Sequence, residues 1–374
     1  METYRVISTD SHVFEPPDLW TSRTELKFRD RAPHVIHRVE DDTDWWVCEG
    51  QKGASGGSGS QLGKRFDAPE TLNMAGKMEN VRAGGYVPEE HVKDMELDGV
   101  EVSIVYPSQG LLLYSVPDGE LLSAVCRAYN NWLADFCQPF PRRIKGIAML
   151  NLDDVQDGVS EIIRCANMGL AGAMITVSPP PGRGYNSREY EPLWATAQDL
   201  AMPLSLHVGT NRLTAGGPTV DLEALEPAFM TNLDHWVRMS LASIIFAGVF
   251  ERYPRLQIGV IEHELSWAPH FLDRLDYTYT QRARGKGWNK FKTDLLPSDY
   301  FRQNVFLSFQ EDALGIRDRD LIGVDNLMWG SDYPHVESTF PRSRQVLEEI
   351  LAECTEEERA KIAGGNAARV YRLD

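Results

Sequence analysis

Asp10 and His12 stand two positions apart at the end of an apolar run, in ISTDSHVFEPP (7–17). In extended chain, side chains repeat their direction every second residue, so this acid and this imidazole project to one side and can share an ion. An ordinary Asp/Ser turn with a surface histidine is spelled the same way. The pair gains weight because donors of the same type recur at the ends of other apolar runs. His207 closes PLSLHV, Glu262 and His263 follow LQIGVI, and Asp332 and His335 follow NLMWG. Four of the nine histidines fall at these ends. Neutral imidazole and carboxylate together suit Zn²⁺, Mn²⁺ or Fe²⁺. Asp10, His12, His207 and Asp332 form a set for one divalent ion, leaving a position for water or substrate. Taken singly, each has a plainer role: a strand-end histidine bonds a backbone carbonyl, and an aspartate caps a helix. The joint pattern points to the metal. The other histidines (His34, His37, His91, His235 and His270) fall in loops or helices and read as surface or packing residues.

Such donors converge only if the runs that carry them lie side by side. Eight short apolar segments recur along the chain: 4–9, 100–106, 144–150, 171–177, 203–208, 256–261, 304–309 and 326–330. Most are followed by segments with the 3.6-residue period of helices, such as ELLSAVCRAYNNWLADFCQ and DVQDGVSEIIRCANMG, the latter stopping at Gly169. The strands do not alternate strictly between apolar and polar, as expected of parallel strands buried on both faces. Eight β/α steps predict a (β/α)8 barrel, whose strand ends gather over one opening. A doubly wound open sheet is the rival arrangement.

The first step is unusual. About ninety residues separate the first apolar run from the second, far beyond a common βα connection. We read residues 20–95 as an insertion within a single domain spanning 1–374, a cap or lid on the C-terminal face of the barrel. It carries Trp20, Trp45, Trp46 and Phe66, and the Gly/Ser-rich stretch EGQKGASGGSGSQLG (49–63) reads as a mobile loop. An oligomerisation arm is the competing reading.

Bulk composition narrows the function. The chain has 374 residues, 42% hydrophobic and 25% charged, with a net charge of −17. That is globular composition, with a core large enough to fold without a disulfide or structural metal. The negative charge disfavours nucleic acid as a partner. No apolar run reaches the roughly 18 residues of a membrane span. The nearest, SLASIIFAGVF (240–250), reads as a buried helix. METYRVIS lacks the basic and apolar regions of a signal peptide, and Cys48, Cys126, Cys137, Cys165 and Cys354 are scattered without a CxxC pair. Both features suggest reduced thiols in a cytoplasmic protein.

DSHVFEPPDLW (10–20), YPSQG (106–110), YEPLWATAQDLAMPLSLHVG (190–209), IGVIEHELSWAPHFLDRLD (258–276) and MWGSDYPHVESTFPRSR (328–344) together resemble the amidohydrolase-related metal-dependent proteins, in the branch of aminocarboxymuconate-semialdehyde decarboxylase. The resemblance spans nearly the whole chain. It implies a distorted TIM barrel with a metal at its mouth. Relatives often carry H-x-H or E-x-H at the first strand; Asp10 here keeps a donor and makes the site more anionic. The resemblance also implies that His263 is the acid/base group, a role suited to an imidazole. Two-metal members often bridge their ions through a carbamylated lysine at strand four, which here ends TVSPPPG, so one ion is expected. Glu15, Glu262, His263 and His335 add donors that either hold a second ion or orient the first set. Ser108 and Gln310, with Gln109, Phe309 and Glu311, lie at the ends of strands two and seven as weaker pocket candidates.

These parts predict a metal-dependent enzyme acting on a small organic acid, amide or lactone. Metal-bound water or metal-polarised substrate serves either hydrolysis or non-oxidative decarboxylation, with His263 moving the proton and Asp332 holding the metal. Superfamily habit places hydrolysis slightly ahead. The alternatives are a di-metal (Fe or Fe/Mn) oxygenase on the same scaffold and a non-catalytic barrel subunit of a complex. The outer helices and the insertion offer surfaces for a homo-oligomer or a related partner subunit.

Overall fold

A computed structural model describes residues 4–212, 227–282 and 290–373. Among the described residues, eleven strands form two sheets. The larger contains β1 (Ile7–Val13), β5 (Val102–Pro107), β6 (Ile144–Met149), β7 (Gly172–Ile175), β8 (Leu204–His207), β9 (Ile258–Ile261), β10 (Val305–Phe309) and β11 (Leu327–Trp329), in that spatial order. Every pairing within it is parallel. A parallel bridge between Ser11 and Tyr333 brings the last strand's loop back to the first. Eight parallel strands with helices between them make a nearly closed (β/α)8 barrel, so the doubly wound alternative falls away. The helices are set by local signals. Asp118 accepts hydrogen bonds from the Glu120 and Leu121 amides to start helix Gly119–Cys137, and Asp154 does the same with Gln156 and Asp157 for helix Val155–Asn167. Thr355 and Glu358 form the capping box of helix Glu356–Ala360. Among the described residues, no helix is long and apolar enough to cross a membrane.

Seven of the eight strands lie within two residues of their expected positions. The first is displaced: the sequence places it at 4–9, and the structure at Ile7–Val13. Its polar residues mislead the pattern because the barrel interior here is partly hydroxylic. Ser8 Oγ lies 2.7 Å from Ser11 Oγ, and Thr9 Oγ1 lies 2.8 Å from Ser308 Oγ. All four are buried, and pairing removes the cost of burying them.

Between β1 and β5 lies the insertion. It contains an antiparallel sheet of β2 (His34–Arg38), β3 (Thr43–Cys48) and β4 (Gln51–Ser55), then short 3₁₀ turns, then helix Pro88–Asp98. The Gly/Ser-rich stretch therefore begins as a strand. The Ser55 hydroxyl donates to the Asp44 carbonyl at 2.8 Å and accepts from the Gly76 amide at 2.9 Å. The aromatics divide. Trp20 and Trp46 meet edge to face, 5.0 Å between centroids, and the Trp20 indole donates to the Val125 carbonyl of helix Gly119–Cys137. These rings pack on the barrel's outer helix. Phe66 instead lies under the guanidinium of Arg342, in the segment after β11. Residues 60–67 reach the C-terminal face, with Arg65 pairing with Glu311 after β10 and Asp67 with Arg342.

His34 and His37 fall in β2, not in loops. His91 is fully buried: its Nδ1 lies 2.8 Å from the Gly84 carbonyl and its Nε2 3.1 Å from Ser103 Oγ. Burial pushes its imidazole down to about 4. The folded chain thus refuses a proton that the unfolded chain accepts near pH 6.5. Its contribution is fully present above that pH and is lost as pH falls toward about 4, by about 3 kcal/mol in all. We expect the difference in unfolding free energy between the wild type and His91→Gln, measured by denaturant titration, to shrink by that order between pH 7 and pH 4. A pH-independent difference would contradict it.

Candidate metal centre

β1 carries one extra residue against β5: Ser8 pairs with Ser103, but Ser11 pairs with Val105. Such a bulge re-aims side chains at a barrel rim. The segment that holds Asp10 and His12 is then fixed from the other side by the loop after β11. The Asp332 amide donates to the Asp10 carbonyl at 2.8 Å, and the His12 amide donates to the Tyr333 carbonyl. Gly330 permits this approach, because a Cβ there would lie 2.5 Å from the Asp10 Cβ. His207 is the last residue of β8. Glu262 and Asp332 both adopt left-handed backbone, at φ 61° and 58°. That conformation is uncommon for residues other than glycine and concentrates at functional sites.

The donors converge. His12 Nε2 lies 3.3 Å from Asp10 Oδ1 and 3.3 Å from Asp332 Oδ1, and His207 Nε2 lies 3.3 Å from the same Asp10 oxygen. Glu262 Oε2 is 3.6 Å from His207 Nδ1. Ligand atoms of Asp10, His12, His207 and Glu262 all fall within 4.8 Å of one another, as do those of His12, Asp332 and His335.

The ring tautomers decide what this cluster fits. His12 Nδ1 sits 2.8 Å from the Pro107 carbonyl, and His207 Nδ1 sits 3.0 Å from the Val208 carbonyl. A carbonyl only accepts, so each Nδ1 carries the hydrogen. In the neutral rings each Nε2 then offers a lone pair, aimed at carboxylate oxygens that also offer only lone pairs. That arrangement is stable only around positive charge. His12 Nε2 makes no hydrogen bond of good geometry and is shut off from solvent. Two ligands about 2.0–2.2 Å from one ion stand roughly 2.8–3.6 Å apart at tetrahedral to octahedral angles. The three 3.3 Å contacts match that spacing, so the residues present fit a divalent ion.

Electrostatics agree. Burial pushes the Asp10 carboxyl up, but the nearby His207 and the hydrogen bond from His12 hold it below the ordinary carboxylate range. Asp332 is likewise lowered, because the charge of His335 and the His12 and His335 bonds outweigh burial. Burial pulls His12 down, but its contacts with Asp10 and Asp332 hold it well above its ordinary value. A proton on this ring supplies the positive charge that an ion otherwise brings. Glu262 is raised well above the usual range by burial and by Asp332 and Asp10. The cluster is rich in anions and poor in cations.

His263 is buried, with neither ring nitrogen in a well-formed hydrogen bond. Burial and the neighbouring His207 lower it to about 3, against opposing support from the Asp10 charge and the Leu233 backbone. At neutral pH its ring is uncharged and has a free lone pair. His335 bridges outward: Nδ1 lies 2.8 Å from Asp332 Oδ1 and Nε2 lies 2.9 Å from Ser108 Oγ. Ser108 also donates to the Val13 carbonyl at 2.8 Å. Glu15 stands apart from the donor cluster. Its carboxylate accepts from the amides of Ser108, Gln109 and Gly110, at 3.3, 2.9 and 2.9 Å, and so clamps the turn after β5. The Gln310 amide donates to the Glu337 carbonyl, tying two loops together. The Gln109 amide is buried with neither atom paired.

Three residues here escape sequence reading. Gly330 and Tyr333 lie inside MWGSDYPH, but nothing in that spelling shows which of its residues touch Asp10 or His12. Asp94, which accepts from the Tyr333 hydroxyl, has no local signal at all. A cavity of about 440 Å³ lies where the insertion meets the segment after β11, lined by Lys64, Phe340 and Arg342 among others. None of the clustered donors Asp10, His12, His207, Glu262, Asp332 and His335 lines it, so the donor geometry and not that cavity marks the site.

Comparison with known proteins follows the same lines. Residues 113–373 match the family model described as Amidohydrolase. The chain is 25% identical over 345 residues to the gamma-resorcylate decarboxylase of Rhizobium sp., covering 84% of this chain and 98% of that protein. Its fold is similar to the crystal structure of an amidohydrolase from Mycobacterium avium subsp. paratuberculosis (TM-score 0.77, 23% identity, 99% and 98% of the two chains). It is also similar to a dihydroxybenzoic acid decarboxylase from Polaromonas sp., crystallised with bound manganese and the inhibitor 2-nitroresorcinol (TM-score 0.66, 19% identity, 99% and 98% covered). The chain belongs to the amidohydrolase family of enzymes, in the branch that holds the aminocarboxymuconate-semialdehyde decarboxylases and their relatives.

Proposed function

We propose that this chain is a divalent-metal-dependent, non-oxidative decarboxylase of a small aromatic or related unsaturated hydroxy acid. The observation that carries the proposal is the run of three 3.3 Å contacts, Asp332–His12–Asp10–His207, that links two Nδ1-protonated histidines and two carboxylates. The decarboxylase names of its relatives supply the reaction class. Asp10, His12, His207 and Asp332 would hold the ion, with Glu262 at its edge. A bound divalent ion supplies Lewis-acid polarisation of a substrate carboxylate or phenolic oxygen. The manganese-bound neighbour favours Mn²⁺. His263 moves the proton. In a concerted transfer its ring would relay a proton of the bound hydroxy acid to the carbon that loses CO₂, without resting as an imidazolium, so C–C cleavage and C–H formation balance. Burial keeps water from competing for that proton.

One ion is preferred over the two of an oxygenase. The two donor groups overlap at His12, whose Nδ1 is committed to Pro107, so both would draw on one lone pair. The His335 nitrogens are already engaged by Asp332 and Ser108. The same parts serve hydrolysis, and the relatives tip the choice toward CO₂ loss. The test is an assay of Mn²⁺-loaded and Zn²⁺-loaded protein on a panel of hydroxybenzoates, with CO₂ release as readout. Release under anaerobic conditions supports the proposal. Turnover of lactones or amides without CO₂, or turnover that consumes O₂, would replace it.

A further inference from the structure

We propose that Asp94, held by Arg82, is a positioning residue for the metal centre and acts through Tyr333. This rests on the metal-centre reading above. Tyr333 sits between two of the proposed ligands in space. Its backbone follows Asp332 directly, and its carbonyl accepts the His12 amide. A shift of Tyr333 therefore moves Asp332 through the chain and His12 through a hydrogen bond. The phenol is fixed from the insertion. Its hydroxyl donates to Asp94 Oδ2, a buried carboxylate that Arg82 grips with two nitrogens, Nε at 2.7 Å. Such a fork fixes geometry as well as charge.

The surroundings are built for this contact. A Cβ at Gly84 would lie 2.0 Å from the Tyr333 hydroxyl and 2.5 Å from Asp94 Oδ2, so a side chain there would break it. The Tyr333 ring, 5% exposed, is wedged edge-on against His91 and Phe340, each 5.2 Å away between centroids. Arg82 also stands over the Phe340 ring. The strut thus spans from the insertion to the loop that carries Asp332. Because Asp332 holds a left-handed backbone at φ 58°, which costs free energy on its own, an outside restraint is what keeps it there. The insertion would then tune the metal site as well as cover it.

The experiment is a Mn²⁺ titration of the full chain followed by electron paramagnetic resonance, on wild type, Tyr333→Phe, Asp94→Asn and the double variant. Outer partners of metal ligands typically contribute about 10–100-fold in affinity. We expect Tyr333→Phe to weaken Mn²⁺ binding about tenfold and to alter the zero-field splitting of the bound ion. Asp94→Asn should do the same to a smaller extent. The double variant should match Tyr333→Phe alone, because both act on one strut. Wild type and variants with equal affinity and spectra would overturn the positioning role while leaving the metal reading intact. A wild type that binds no Mn²⁺ at this site would overturn both. If the asparagine variant fails to fold, Tyr333→Phe, which removes a single hydroxyl, decides the matter alone.

Discussion

Asp332→Ala is expected to release the divalent ion and to lower kcat/KM by about 10³-fold or more, the several kcal/mol that a Lewis acid supplies. The side chain meets His12 at 3.3 Å and His335 at 2.8 Å, so its loss removes one proposed ligand and frees the ring that braces it. It also removes a buried carboxylate whose neighbours hold it ionised. His207→Ala should behave alike, since His207 reaches Asp10 from the far side of the cluster. The check is metal content by mass spectrometry, set against activity. Full metal occupancy in Asp332→Ala would remove it from the ligand set.

His263→Ala is expected to separate the two functions. Metal should stay bound, because His263 donates no atom to either donor group. Turnover should fall by about 10²–10⁴-fold, the usual worth of a positioned proton-transfer group. His263 is buried with both nitrogens free of well-formed bonds, a state that stability alone does not favour. Its removal should therefore lower kcat without lowering the thermal midpoint. The measurement is kcat beside metal stoichiometry in one preparation, and unchanged kcat would take His263 out of the mechanism. Gln in its place should recover little, because an amide does not exchange a proton near neutral pH.

Much of this was legible in the chain itself. Parallel strands buried on both faces read as continuous apolar runs, which is why β5 to β11 of the barrel stand where the pattern places them. β1 does not fit that rule. Its polar Ser8, Thr9 and Ser11 hide how far the strand extends, and pairing with Ser308 and Ser331 across the barrel makes them core. The principal donors showed because their types recur at strand ends, and ends converge in a barrel. Glu15 shared that signal but faces backbone amides, since donor type does not reveal direction. The Asp94–Tyr333 contact joins residues 239 positions apart and leaves no trace in local spacing. Trp20 and Trp46 looked like cap aromatics, yet they pack on helix Gly119–Cys137, because an insertion needs its own anchor on the barrel. Hydrolysis and decarboxylation use the same donors and the same imidazole, so residue types alone do not separate them.

Anomalous diffraction at the manganese edge, from crystals of the full chain grown with Mn²⁺, tests the central claim most directly. A single peak is predicted, about 2.0–2.3 Å from Asp10, His12, His207 and Asp332. No peak among these four side chains, with manganese bound elsewhere or nowhere, would contradict it.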